Sequence, residues 1–193
     1  MKRVLIFGDL HVPTRADSIP DVLWDHITSQ EYDFALVTGD LITEEDMRRV
    51  MPPLPKCYIV RGNMDRETKH PIHHIVKVGP LRVFLMHGTN LSPRGDLDQF
   101  WDILIEHKAD IGVHGHTHEP QIELHNNRLF LNPGSITGAT GGWGGRQDAT
   151  FLELEVDNEK IIARLVSTDW KKLELIPLGY KKTELGIVHA TYY

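Results

Sequence analysis

The sequence predicts an α/β fold that begins as a parallel sheet. Two observations carry this. Between residues 4 and 65, continuous apolar runs alternate with segments patterned as helices, the order that lays parallel strands side by side. Five apolar runs also end in polar residues of metal-ligand type beside glycine or at the strand terminus. In open α/β sheets such ends share one rim, and ligands bind there.

The first strand is the run 4–7, with Gly8-Asp9-Leu10-His11 as the loop at its end. Ser18 and Pro20 open a helix that turns Val22, Leu23, Trp24 and Ile27 inward. Residues 34–37 are a second buried strand, ending in Thr38-Gly39-Asp40. Thr43 caps a second helix whose first turn carries Glu44, Glu45 and Asp46, favourable at the positive end of the helix dipole. Met51-Pro52-Pro53-Leu54-Pro55 stops it. Residues 57–60 form a third strand, ending in Arg61-Gly62-Asn63-Met64-Asp65.

The pattern then changes. Strands at 72–78 and 81–86 flank Gly79-Pro80, a turn signal, and the second ends in His87-Gly88. A third helix over 97–107 offers Phe100, Trp101, Leu104 and Ile105 for burial. Residues 111–114 are the next strand, leading into Gly115-His116-Thr117-His118. Hairpins follow at 121–131, around Asn126-Asn127-Arg128, and at 150–166, around Asp157-Asn158-Glu159-Lys160. A last strand covers 173–176, and the tail from Lys181 reads as loosely held. The glycine-rich stretch 132–148 lacks the P-loop spacing. It reads either as a flexible loop bringing Trp143 and Arg146 to a substrate or as a plain excursion.

The chain has 193 residues, 40% hydrophobic and 25% charged, which fits one domain over 1–193 with no repeat or linker. A net charge of −6 argues against nucleic acid or an anionic membrane as partner. No apolar run approaches the ~20 residues of a membrane helix. Met1-Lys2-Arg3 leads into too short a run for a signal peptide, and the single Cys57, read as buried, suits a reducing compartment, so the cytoplasm is expected. Twelve histidines hint at metal.

The strand ends supply Asp9, His11, Asp40, Asn63, His87, His116 and His118. These donors suit two adjacent divalent ions, with Asp40 in the middle as the bridge. Mixed Asp, His and Asn ligation favours manganese, with zinc, nickel or iron as alternatives. Two such ions lower the pKa of a bridging water and clamp phosphoryl oxygens. No Gly-x-Ser-x-Gly or Cys-His arrangement competes as a nucleophile. His73 and His74 read as sheet-face residues, His26 and His107 as helix residues, and His70, His125 and His189 as solvated. His114 reads either as a buried hydrogen-bonded histidine or as one orienting a ligand.

Gly8-Asp9-Leu10-His11, Gly39-Asp40, Gly62-Asn63-Met64-Asp65, His87-Gly88 and Gly115-His116-Thr117-His118 resemble, in order and spacing, the five motifs of calcineurin-like metallophosphoesterases. The chain looks most similar to the small branch holding YfcE-type manganese phosphodiesterases and vacuolar protein sorting protein 29, the retromer subunit. The resemblance implies a four-layer αββα sandwich. It implies one metal site of Asp9, His11, Asp40 and His118 and a second of Asp40, Asn63, His87 and His116. Asp40, Asn63, Asp65 and His87 are then the residues assigned to catalysis. Met64 stands where phosphoprotein phosphatases carry a proton-donating histidine, so a phosphodiester or small phosphate ester is the expected substrate. Asp65 is a candidate donor in its place, with a structural turn role as the alternative.

The expected activity is therefore hydrolysis by a hydroxide that two metal ions activate. The rival is a retromer-like scaffold that meets a helical-repeat partner through the Leu91-Ser92-Pro93 loop. An Mre11-like nuclease is disfavoured by the acidic balance and the lack of added domains.

Overall fold

A computed structural model describes residues 1–142 and 144–192. In chain order the elements are β1 (Lys2–Phe7), α1 (Asp21–Thr28), β2 (Phe34–Val37), α2 (Glu44–Val50) and β3 (Cys57–Ile59). Next come β4 (His73–Val78), β5 (Leu81–Met86), α3 (Leu97–Glu106), β6 (Ile111–Val113), β7 (Pro120–His125) and β8 (Arg128–Pro133). The last four are β9 (Ala149–Asp157), β10 (Lys160–Thr168), β11 (Leu173–Thr183) and β12 (Gly186–His189).

These strands make two sheets, of seven strands in the order β12-β11-β10-β9-β1-β2-β3 and of five in the order β4-β5-β6-β8-β7. The parallel start is as expected: β1 pairs with β2 and β2 with β3. The sheets face each other across one apolar layer. Val4, Ile6 and Leu36 of the larger sheet meet Val83, Leu85, Val113 and Leu131 of the smaller. The alternate residues Leu5, Phe7, Ala35 and Val37 point the other way, onto Leu23 and Ile27 of α1 and Met47 of α2. On the far side, Phe100 and Leu104 of α3 pack on Phe84 and Phe130 of the smaller sheet. The layers are thus helix, sheet, sheet, helix. With both faces of β1 covered, residues 4–7 must all be apolar, which is why the run shows no alternation.

Local chemistry sets the starts of α2 and α3. The Thr43 hydroxyl accepts from the Asp46 amide at 3.1 Å, and the Asp96 carboxylate accepts from the Gln99 amide at 2.8 Å. α3 lies close to its sheet because residue 112 is glycine: a Cβ there would stand 2.7 Å from the Phe100 ring.

Several expectations are corrected. The ligand-bearing strand ends do not belong to one open sheet: β1, β2 and β3 lie in the larger sheet, β5 and β6 in the smaller. The tail is not loose, for β11 runs to Thr183 and β12 pairs with it. Ile187 is the reason, a wholly buried side chain in the layer between the sheets. Trp24 and Ile105 face outward, at 36% and 42% exposure, because α1 and α3 each bury one narrow stripe. Cys57 is half-buried at the start of its strand. The glycine-rich stretch is no excursion along its first half, where Asn132, Ser135, Ile136, Thr137 and Ala139 are buried. Leu91 is only 2% exposed and packs in the α3 layer with Phe84 and Phe100, so it offers no docking surface.

Candidate metal centre

The two sheets deliver their strand ends to one place. From Asp9, His11, Asp40 and His118, one ligand atom each lies within 4.8 Å of the others, and all four residues are buried. The Nε2 atoms of His11 and His118 are 3.1 Å apart, with their rings stacked at 4.9 Å. Asp40 Oδ2 lies between two imidazoles, 3.4 Å from His11 Nε2 and 3.5 Å from His87 Nε2. His87 Nε2 also stands 3.1 Å from Asn63 Oδ1, and its ring is 5.1 Å from that of His116. Asp40 is therefore the residue shared by the two halves of the cluster.

The backbone is bent to make this possible. Asp9, His11, Asp40, His116 and His118 have φ of 48°, 50°, 53°, 70° and 63°. Side chains with a Cβ rarely adopt this left-handed region, and such strain collects where packing and function hold it. Glycine is needed for clearance at two neighbours. A Cβ on Gly62 would lie 2.2 Å from Asp40 Oδ1, and one on Gly115 would lie 2.5 Å from Asp9 Oδ2.

Hydrogen bonds orient the donors. His87 Nδ1 donates to the Thr38 carbonyl at 2.7 Å, and His118 Nδ1 to the Ala139 carbonyl at 2.6 Å. A carbonyl can only accept, so both Nε2 atoms present lone pairs to the cluster. Asp40 Oδ1 accepts from the Met64 amide at 2.8 Å and Asp9 Oδ2 from the His116 amide at 3.0 Å. Asp9 Oδ1 and His11 Nδ1 are buried with no hydrogen-bond partner.

Burial and then the nearby Asp40 charge hold the Asp9 carboxyl well above its usual range. Burial also raises Asp40, to about 6, against the opposing Met64 amide. Burial first, then the neighbouring His118 for His11 and His87 for His116, lowers them to about 3 and about 4. Burial likewise lowers His87 and His118. Left to themselves, then, neutral imidazoles aim lone pairs at carboxylates that resist ionising. A divalent cation resolves that conflict, being the charge to which all these acceptors are complementary. The donor set of Asp9, His11, Asp40 and His118 fits a divalent metal ion.

Asp65 stands differently. Its carboxylate accepts from the amides of Asp40 (3.0 Å), Leu41 (2.6 Å), Ile42 (2.9 Å) and Gly62 (2.7 Å). These contacts describe the turn role: they tie the β2 loop to the β3 loop. Met64 is 42% exposed and contributes only its amide to Asp40. His114 is buried against Phe100, and Asn132, 3.5 Å from its Nδ1, also donates to the Gly115 carbonyl and the Thr117 hydroxyl. His26 and His125 bond to Glu153 and Asp98, while His73 and His74 lie at the start of β4.

Some supports had no signal in the sequence. The Ser135 hydroxyl donates to the Asp9 carbonyl at 2.7 Å, and the Thr137 hydroxyl to the Leu10 carbonyl at 2.9 Å. Two exposed arginines flank the cluster: Arg94 donates to the His116 carbonyl and Arg15 to the Thr140 carbonyl at 3.1 Å. Arg146 stacks on Trp170 at 3.9 Å instead of turning to the cluster, and Trp143 lies outside the described residues.

A family model described as the calcineurin-like phosphoesterase superfamily domain matches residues 1–159. A probable metallophosphoesterase of Methanothermobacter thermautotrophicus is 33% identical over 165 residues, 84% of this chain and 91% of the relative. Vacuolar protein sorting 29 of Cryptosporidium parvum superposes with a TM-score of 0.86 at 25% identity, over 94% of this chain and 98% of that one. Wild-type Vps29 of Entamoeba histolytica, solved in complex with Zn²⁺, gives 0.81 at 27% identity, over 92% and 98%.

Proposed function

The chain belongs to the calcineurin-like phosphoesterase superfamily, and from that premise we propose that it is a metal-dependent hydrolase of a phosphodiester or small phosphate ester. The observation that carries the reading is Asp40, whose Oδ2 lies within 3.4–3.5 Å of an imidazole from each half of the cluster. Asp9, His11, Asp40 and His118 would hold one ion and Asp40, Asn63, His87 and His116 the other. Two divalent ions so held would acidify water to a nucleophile at neutral pH and offset charge on the phosphoryl oxygens. Manganese suits the donor mixture, and the cytoplasm is the proposed setting.

The chain's own residues do the rest. The Thr38 and Ala139 carbonyls fix the imidazole tautomers. Asp65 positions Asp40 through four backbone amides and keeps no free lone pair direction for proton donation. Met64 carries no proton to give, which favours esters whose departing oxygen is already a weak base.

The test is Mn²⁺ titration by calorimetry with hydrolysis of bis-p-nitrophenyl phosphate and p-nitrophenyl phosphate. Two ions per wild-type chain, one in His118→Ala and none in Asp40→Ala are expected, with turnover lost in the last. An Asp40→Ala protein that keeps its manganese and its turnover sinks the assignment.

A second reading is a protein-binding scaffold, supported by the Vps29 likeness and by exposed Ile176 and Leu178, which share one face of β11. A helical-repeat partner would need a surface other than Leu91, which is buried.

A further inference from the structure

The smaller sheet leaves an apolar groove beside the metal centre. α3 covers β5, β6 and β8, but β4 is the edge strand and its outward side chains lie open. Between β4 and α3 is a cavity of about 390 Å³. That volume lies within the range of pockets that enclose small organic ligands.

Rings build its walls. His73 stacks on Phe84 with centroids 5.1 Å apart and planes at 13°. His107, at the end of α3, lies 4.9 Å from the same Phe84 ring and 5.6 Å from His73. Ile103 closes the helix side. Among the described residues neither His73 nor His107 makes a side-chain hydrogen bond, so over the buried Phe84 the groove offers imidazole faces and free imidazole edges. Such a surface suits a flat heterocycle, which stacks by its face and bonds by its rim.

The groove ends at the metal centre. His87, whose Nε2 stands at Asn63 and Asp40, also lines the cavity. Thr89, on the same wall, reaches Asn63 Oδ1 at 3.4 Å. Exposed Arg61 also lines the cavity, two residues before Asn63 in the chain, and offers a positive charge to an anionic group. A phosphorus at the centre would place one ester arm along the groove.

We infer that this groove receives a planar, heterocycle-bearing ester arm, so that the substrate is a phosphodiester of the nucleoside type and His73, His107 and Ile103 set the specificity. This rests on the phosphoesterase reading above.

The experiment compares two esters with one leaving group, thymidine 5′-(p-nitrophenyl phosphate) and methyl p-nitrophenyl phosphate, with the Mn²⁺-loaded full chain. In both, water adds to phosphorus, the bond to p-nitrophenolate breaks and a proton goes to solvent. The ratio of kcat/KM therefore reads only the other arm. The wild type should favour the thymidine ester by about tenfold or more, the scale on which a pocket contact discriminates. His73→Ala and, separately, Ile103→Gln should bring that ratio towards one while leaving the methyl ester within about twofold. A wild-type ratio near one, or variants that slow both esters equally, overturns the groove's role; a groove that binds a protein segment instead gives that result. If neither ester is hydrolysed, the phosphoesterase reading falls and binding decides the groove. Thymidine 5′-monophosphate binding more tightly than ribose 5-phosphate by calorimetry, with the advantage lost in His73→Ala, sustains it, and equal binding of the two overturns it.

Discussion

Two buried carboxylate clusters lie near β1, one past its C-terminal end and one beside it on β9, and have opposite electrostatics. At the metal centre, Asp9 and Asp40 are almost wholly buried, Asp9 Oδ1 has no hydrogen bond, and burial pushes both pKa values up, Asp40 to about 6. On the face towards α1, Glu153 is 2% exposed and fully engaged. Its carboxylate accepts from His26 (2.9 Å), Tyr32 (2.7 Å) and Arg164 (2.5 Å). Burial alone would raise Glu153, yet these three donors outweigh it and bring the pKa down to about 2. Burial is common to both, so partners make the difference. A buried charge with its own donors is architecture, whereas one whose neighbours are other acceptors is built for something that arrives.

The largest way to break this contrast is at the centre. Asp40→Asn keeps the shape and removes the charge. Turnover of bis-p-nitrophenyl phosphate should fall about a thousandfold, the scale of losing a main electrostatic contact. The metal-free variant should nevertheless melt higher than metal-free wild type, because an uncompensated buried charge is gone. Calorimetric melting without metal checks this, and a variant that melts lower would mean the carboxylate is already satisfied.

The mirror experiment is Glu153→Ala. It leaves the half-buried Arg164 guanidinium with Glu155 alone (3.3 Å) and the His26 and Tyr32 donors without their acceptor, and stability should fall by about 2–3 kcal/mol in denaturant unfolding. Manganese stoichiometry should stay at the wild-type value. A loss of metal with little loss of stability would reverse the roles given to the two clusters.

Acid should separate them in one protein. Glu153 ionises more readily folded (about 2) than unfolded (4.5), so its contribution is present above pH 4.5 and is lost as pH falls towards 2. The shift corresponds to about 3 kcal/mol. Asp40 is the reverse, folded about 6 against 3.8 unfolded. Its contribution is present below pH 3.8 and is lost as pH rises through 6, so metal-free protein should weaken across that window. Added Mn²⁺ should then raise the melting temperature more at pH 7.5 than at pH 5. An equal rise at both would show that Asp40 does not titrate with the metal.

The two clusters also differ in how far the sequence reveals them. Asp9 and Asp40 stand beside glycines at the ends of apolar runs, so spacing exposes them, and the helix–strand alternation exposes the sheet that carries them. Glu153 lies inside the apolar strand β9, 127 residues from His26, and no local pattern joins them. The division of the ligand strands between two sheets is equally non-local, as is the inward turn of Leu91. Edge strands hide too: β12 buries Gly186 and Ile187, too short a pattern to show a period.

The smallest effect falls on the support around the centre. Ser135 Oγ donates to the Asp9 carbonyl and accepts from the Ala139 amide at 3.0 Å, while Ala139 in turn holds His118. This frame is satisfied although the carboxylate and imidazole atoms it holds are not. Ser135→Ala should lower stability by about 1–2 kcal/mol, because a buried amide and carbonyl lose a partner. It should leave both ions bound and change turnover by less than about threefold, since the left-handed backbone at Asp9 is also held by the Asp9 amide bonding to the Gly39 carbonyl at 2.9 Å. If turnover instead fell as far as in Asp40→Asn with stability unchanged, the boundary between frame and centre would lie one residue further in, at the hydroxyl itself.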